Sequence, residues 1–126
     1  MRQATANDIP PPLELLCLTA LWTLREANVE AVRQVVSEHK PLAYTTVLTL
    51  LDRLARRGTV SRRREARAFV YQPEISRDSL RRKALKEFVT RYFNGSESDL
   101  LDFLWQESRP DEPLQLATRG IDTVLL

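Results

Sequence analysis

Residues 42 to 58 read LAYTTVLTLLDRLARRG, and the rest of the chain can be laid out around them. Val47, Leu50, Leu51 and Leu54 recur at the spacing that places four side chains on one face of a helix, a face meant for a core. The opposite face carries Thr45, Thr46, Thr49 and Arg53. These short hydroxyls and one guanidinium can reach base edges and phosphates without the bulk that would hold a helix out of a DNA groove. Arg56, Arg57 and Gly58 close the helix, the cations meeting the negative end of its dipole and the glycine supplying a left-handed terminal residue. Any small helical domain contains an amphipathic helix, so its neighbours must decide what this one is for.

Upstream, residues 1–11 are polar and expected to be flexible, and the run Pro10, Pro11, Pro12 marks where order begins. Proline is tolerated in the first turn of a helix, where its missing N–H costs nothing. A first helix is therefore expected from about Pro12 to Arg25. Leu13, Leu16, Cys17, Ala20, Leu21 and Leu24 form its main apolar stripe, and Leu15, Leu18 and Trp22 form a second. A helix apolar on two sides is covered on two sides, here by its own core and by another helix layer, which a partner chain could supply. Asn28 breaks the pattern. Glu30 to Ser37 resumes it as a short second helix with Val32, Val35 and Val36, ended by His39, Lys40 and Pro41. Two short helices, the second followed by the Thr/Arg helix, read as a helix-turn-helix.

After Gly58 the period changes from helical to alternating. Thr59 to Arg64, a turn at Glu65-Ala66-Arg67 and Ala68 to Gln72 read as strand, turn, strand, closed by Pro73. Phe69 and Tyr71 fall on one face of the second strand and Val70 on the other. A basic hairpin directly after a helix-turn-helix makes residues 12–75 a winged helix. From Ser76 the pattern is helical again: Leu80, Ala84, Phe88, Val89, Tyr92 and Phe93 lead to a helix-ending Asn94-Gly95. Ser96 is placed to cap a last helix carrying Leu100, Leu101, Phe103, Leu104 and Trp105. After a complete winged-helix core these two helices have little left in one chain to bury against, so residues 76–107 are expected to dimerise. Residues 108–126 receive no structural assignment. The fold class is thus mainly α with a small β-hairpin wing: a winged helix-turn-helix followed by a helical dimerisation region.

Charge and composition agree with this division. The chain has 126 residues and a net charge of +2, but Ala43 to Arg67 holds seven arginines against Asp52 and Glu65. A local basic surface on a nearly neutral protein is the footprint of a nucleic-acid face. Cys17 is the only cysteine and His39 the only histidine, so a disulfide within the chain is excluded, a soft-ligand metal site is not expected, and a buried reduced thiol is. No cofactor is expected either. There is no signal peptide pattern and no apolar run approaching a membrane span of about 20 residues, which points to a cytoplasmic protein without membrane insertion. No glycine-rich phosphate loop and no nucleophile with a base and an orienting group can be named, so an enzyme is not expected.

The segment YTTVLTLLDRLARRG, the basic hairpin ending in FVYQP, then RYFNG and DLLDFLW, resembles the penicillinase-repressor family of bacterial winged-helix transcription factors, with its BlaI, MecI and CopY branches. The likeness covers about Leu13 to Trp105. It implies a homodimeric repressor on a dyad DNA operator, with the third helix of each protomer in a major groove. By position, Thr45, Thr46, Thr49 and Arg53 would face the groove, while Tyr44, Arg62, Arg64 and Arg67 would meet phosphates or the minor groove. Leu80, Ala84, Phe88, Tyr92, Phe93, Leu100, Leu101 and Leu104 would lie in the dimer interface. In the beta-lactam-responsive branch a membrane sensor protease triggers cleavage of an Asn-Phe bond in the last helix; the matching bond here is Asp102-Phe103. The paired cysteines of the CopY branch are absent. Ala66-Arg67 stands where the family's wing turn usually has Gly-Arg, and Ala43 replaces a usual capping serine. The rival reading is a winged helix whose arginine patch binds an acidic protein partner, since fold alone does not settle function.

Overall fold

In the computed structural model, residues 9–108 are described; the expectations for residues 1–8 and for the tail beyond residue 108 lie outside them. Among the described residues the chain forms α1 (Pro12–Leu24), α2 (Val29–Val36), α3 (Tyr44–Arg56), β1 (Val60–Glu65), β2 (Ala68–Pro73), α4 (Arg77–Tyr92) and α5 (Glu97–Glu107). The order is that of a winged helix with two further helices. Contacts divide the chain into two units, with the break inside α4 after Ala84 rather than before Ser76.

Each helix of the first unit starts and stops for a local reason. Pro11 in extended conformation and Pro12 open α1 without a side-chain cap. Its end at Leu24 is forced by Arg25, which adopts a left-handed φ of 76° while its N–H still bonds to the Leu21 carbonyl. Asn28 does more than interrupt a pattern: its side chain accepts the Ala31 N–H at 2.9 Å and caps α2, the usual asparagine role at a helix start. Gly58 takes φ 78° after α3, the left-handed turn a side chain would resist.

The core of this unit is the meeting of α1, α2 and α3, closed by the wing. Val47, Leu50, Leu51 and Leu54 are buried as their spacing requires, against Cys17, Leu18 and Leu21 of α1 and Val32 and Val36 of α2. Burial pushes the Cys17 thiol up to about 11. Glu14, also buried, forms an ion pair with Arg57 at the end of α3, so the charge that α1 takes out of water meets its counter-ion there. The second apolar side of α1 is covered in part by this chain itself. The Trp22 indole N–H donates to the Ile75 carbonyl at 2.9 Å, and Leu80 of α4 is 5% exposed within the same core. Leu80 therefore serves the winged domain and is not a free surface for a partner, because the first turns of α4 fold back on α1.

The wing is a two-stranded antiparallel sheet in which Val60 faces Pro73, Arg62 faces Tyr71 and Glu65 faces Ala68. The strand reaches Glu65, so the turn is only Ala66-Arg67, and Ala66 sits at φ 55°. A feature absent from the sequence reading is a short third rung: Ala27, between α1 and α2, exchanges both backbone hydrogen bonds with Tyr71, at 3.0 and 2.8 Å.

The second unit begins with the latter part of α4. Asn94 and Gly95, at φ 51° and 83°, end that helix, and Ser96 accepts the Asp99 N–H at 3.1 Å to cap α5.

Three outcomes follow for the isolated protein. Ala66→Gly should relieve the positive φ and raise stability by about 0.5 to 1 kcal/mol, and Ala43→Ser should add about 1 kcal/mol by capping α3; urea unfolding measures both. The Cys17 thiol, neutral and buried in the fold, should react with iodoacetamide at pH 8 only at the rate of unfolding, and far faster in urea.

Candidate nucleic-acid interface

The outward face of α3 follows from its inward one. With the four apolar residues turned to the core, Thr45, Thr46, Thr49 and Arg53 are all exposed, and with Leu13 and Leu50 they line a shallow concavity of about 320 Å3. The Thr49 hydroxyl donates to the Thr45 carbonyl at 3.0 Å. Its proton is therefore engaged, leaving a methyl group and acceptor lone pairs to face outward. At about 100° per residue, Arg56 lies in the same arc as Thr45 and Thr49, and it is exposed. Sequence reading had used Arg56 only as a helix-ending cation; its angular position was the signal that it also belongs to this face. Tyr44, 49% exposed, stands at the first turn, where no side chain caps the helix and the amide N–H groups are open to an anion.

What places the wing beside this face is a set of contacts converging on Asp52. One of its carboxylate oxygens accepts the Tyr71 hydroxyl at 3.0 Å and an Arg62 N–H at 2.9 Å. The Tyr71 side chain is fully buried. Burial, first among several causes, holds its phenol above the usual value, so it remains a donor. Phe69, on the same face of the hairpin, lies under the guanidinium of Arg62 at 4.2 Å and of Arg64 at 5.3 Å, the stacking that aromatic faces offer cations.

The arginine cluster therefore sorts into two sets. Arg57 is paired with Glu14, Arg62 with Asp52, and Arg63 with both Glu26 and Glu65. Arg63 meets Glu26 through two N–H groups at 2.9 and 3.0 Å; that hydrogen bonding holds the Glu26 carboxyl below its ordinary range and raises Arg63 above its own. Arg53, Arg56, Arg64 and Arg67 have no carboxylate partner among the described residues. Arg62, expected among the phosphate contacts, thus commits one N–H to Asp52 and stacks on Phe69; the unpaired cations lie on α3, on β1 and in the wing turn.

A second surface lies in the other unit. Phe88 meets Tyr92 and Phe93 at ring separations of 5.1 and 5.8 Å, and Phe93 meets Phe103 at 5.7 Å. Phe88, Tyr92, Leu101 and Leu104 are exposed, while Phe93 and Leu100 are partly buried; Ala84, expected with them, belongs to the first unit. Leu85, Phe103 and Trp105 enlarge the exposed apolar area, Trp105 being 73% exposed. Asp102 is exposed beside Phe103 on α5. Among the described residues, no three His, Cys, Asp or Glu side chains gather to hold a metal, and no helix is long and apolar enough to cross a membrane.

The family model described as penicillinase repressor matches residues 11–119. The penicillinase repressor of Bacillus licheniformis is 28% identical over 102 residues, 80% of this chain and 80% of that protein. The transcriptional regulator BlaI of Mycobacterium tuberculosis is 41% identical over 69 residues, 54% of this chain and 50% of that protein. Among solved structures, the DNA-binding domain of the repressor BlaI aligns with a TM-score of 0.50 at 28% identity, covering 57% of this chain and 90% of that one.

The contacts at Asp52 can be tested without any ligand. Tyr71→Phe removes one hydrogen bond to a carboxylate and should lower stability by about 1 to 2 kcal/mol, read from urea unfolding; a variant as stable as the parent would show that the hydroxyl does not hold the wing to α3.

Proposed function

Because the chain belongs to the penicillinase repressor family, a family of repressors and not of enzymes, we propose that it is a sequence-specific transcriptional repressor acting as a homodimer on a dyad DNA operator. The observation that carries this reading is the sorting of the arginines. Between Ala43 and Arg67, Arg57, Arg62 and Arg63 are paired with carboxylates, while among the described residues Arg53 and Arg56 on α3 and Arg64 and Arg67 on the wing meet none. In this reading α3 enters the major groove. Thr45 and Thr46 can donate and accept there, Thr49 can offer its methyl to a thymine, and Arg53 can take a guanine edge bidentately or hold a phosphate. Arg64 and Arg67 extend from the wing toward backbone or minor groove, and Arg56 and Tyr44 serve phosphates near the two ends of the helix.

The homodimer is supported by the exposed aromatic and leucine side chains of α4 and α5, a concentration that a monomer would leave facing water. Two copies related by a two-fold axis would read half-sites about one helical turn, or a multiple, apart. Relief of repression by cleavage at Asp102-Phe103, with a membrane sensor protease as the agent, belongs to the same reading. A cut there would sever Phe103, Leu104 and Trp105 from the surface that joins the copies.

Selection of bound fragments from random DNA should recover a dyad motif with fixed spacing, whereas enrichment without a motif would favour an acidic protein partner for the arginines. On the selected site, Arg53→Ala should cost about 1 to 3 kcal/mol, mostly on the cognate sequence; Arg56→Ala and Arg64→Ala should weaken all DNA alike and lower the salt slope by about one each.

A further inference from the structure

The concavity between α1 and the start of α4 takes no part in the DNA face or the aromatic surface. It measures about 330 Å3 and lies wholly within the first unit, at the lower end of the range of small-molecule clefts. Leu15 and Trp22 of α1, Leu80 and Ala84 of α4, and Ile9 of the preceding segment give it apolar walls. The Trp22 N–H is already used, bonding to the Ile75 carbonyl, and Thr19 adds a hydroxyl to the lining. Two guanidiniums stand at its edge. That of Arg77 lies 5.3 Å from the centre of the Trp22 ring and has no carboxylate partner among the described residues. Arg81 has only Asp78, at 3.4 Å, with both side chains about 70% exposed, a pairing of little strength in water.

An apolar cleft with unspent cations on one rim is complementary to a molecule with an apolar body and a single anionic head. We infer that this cleft is a binding site for a small aryl or branched-alkyl carboxylate, its hydrocarbon against Trp22, Leu15 and Leu80 and its carboxylate on Arg77 and Arg81. Guanidinium matches a carboxylate in two parallel hydrogen bonds, and burial of the hydrocarbon against the apolar walls adds to them. The inference does not depend on DNA binding. A helix of a second copy is the competing occupant; a concavity the size of a small molecule, confined to one unit, favours the carboxylate.

Calorimetric titration of the full chain with 4-phenylbutyrate and with its neutral amide separates these occupants. The carboxylate should bind saturably, one per chain, and about tenfold or more tightly than the amide. Arg77→Gln should weaken it about tenfold. Thr19→Phe, which places a ring in the cleft from an exposed position on α1, should abolish binding while leaving the thermal melt unchanged. Equal binding of carboxylate and amide, or binding indifferent to both substitutions, would overturn the site. So would an absence of saturable uptake at 5 mM, and weaker self-association of Thr19→Phe would then show that a second copy fills the cleft.

Discussion

The burial of Tyr71 is the constraint on which the winged domain turns. Its side chain is fully excluded from water, its backbone pairs in both directions with Ala27, and its hydroxyl reaches Asp52 on α3. One residue of the wing thereby fixes the segment between α1 and α2 and the helix that carries the candidate DNA face. A phenol taken out of water needs a partner for its hydroxyl, and on α3 Asp52 supplies it. That acceptor then recruits Arg62 from β1 as well. The orientation of the wing relative to α3 is a consequence of satisfying one buried polar group.

The same logic sorts the charges. A carboxylate that folding removes from solvent must meet a cation: Glu14, buried in α1, meets Arg57, and the half-exposed Asp52 meets Arg62. Arg63 is shared between Glu26 and Glu65 at the outer side of the hairpin. The local excess of arginine over acid leaves a remainder that meets no acid among the described residues, placed on α3, on β1 and at the wing tip. Electrostatic attraction of a polyanion comes from that remainder rather than from the full count, and its placement beside small hydroxylated side chains suits a surface that must approach a groove closely.

The two units divide hydrophobic burial unequally. The first unit closes its core around α1, α2 and α3 and draws in Leu80 from α4, whereas among the described residues of the second unit Tyr92, Leu101, Leu104 and Trp105 face solvent and Val89 alone of the apolar side chains is buried. Helices this apolar on the outside lower their free energy by joining similar helices, which is the physical ground for reading the second unit as the place where copies meet.

Much of this was legible in the sequence because it is periodic or local. The α3 stripe, the change to alternation after Gly58, the Ser96 cap and the wing turn around Ala66 each depend on residues within a turn or two of one another. The outward threonines and Arg53 were legible for the same reason, as the complement of the core stripe. Tertiary structure alone decided which arginines are free, because Glu14 with Arg57 and Glu26 with Arg63 are pairs distant in sequence, brought together only by folding. It also decided that Leu80 belongs to the winged core, that Ala27 pairs with Tyr71, and that Asp52 anchors the wing. Periodicity tells a chain which face to bury; it carries no information on which distant residue will be there to meet it.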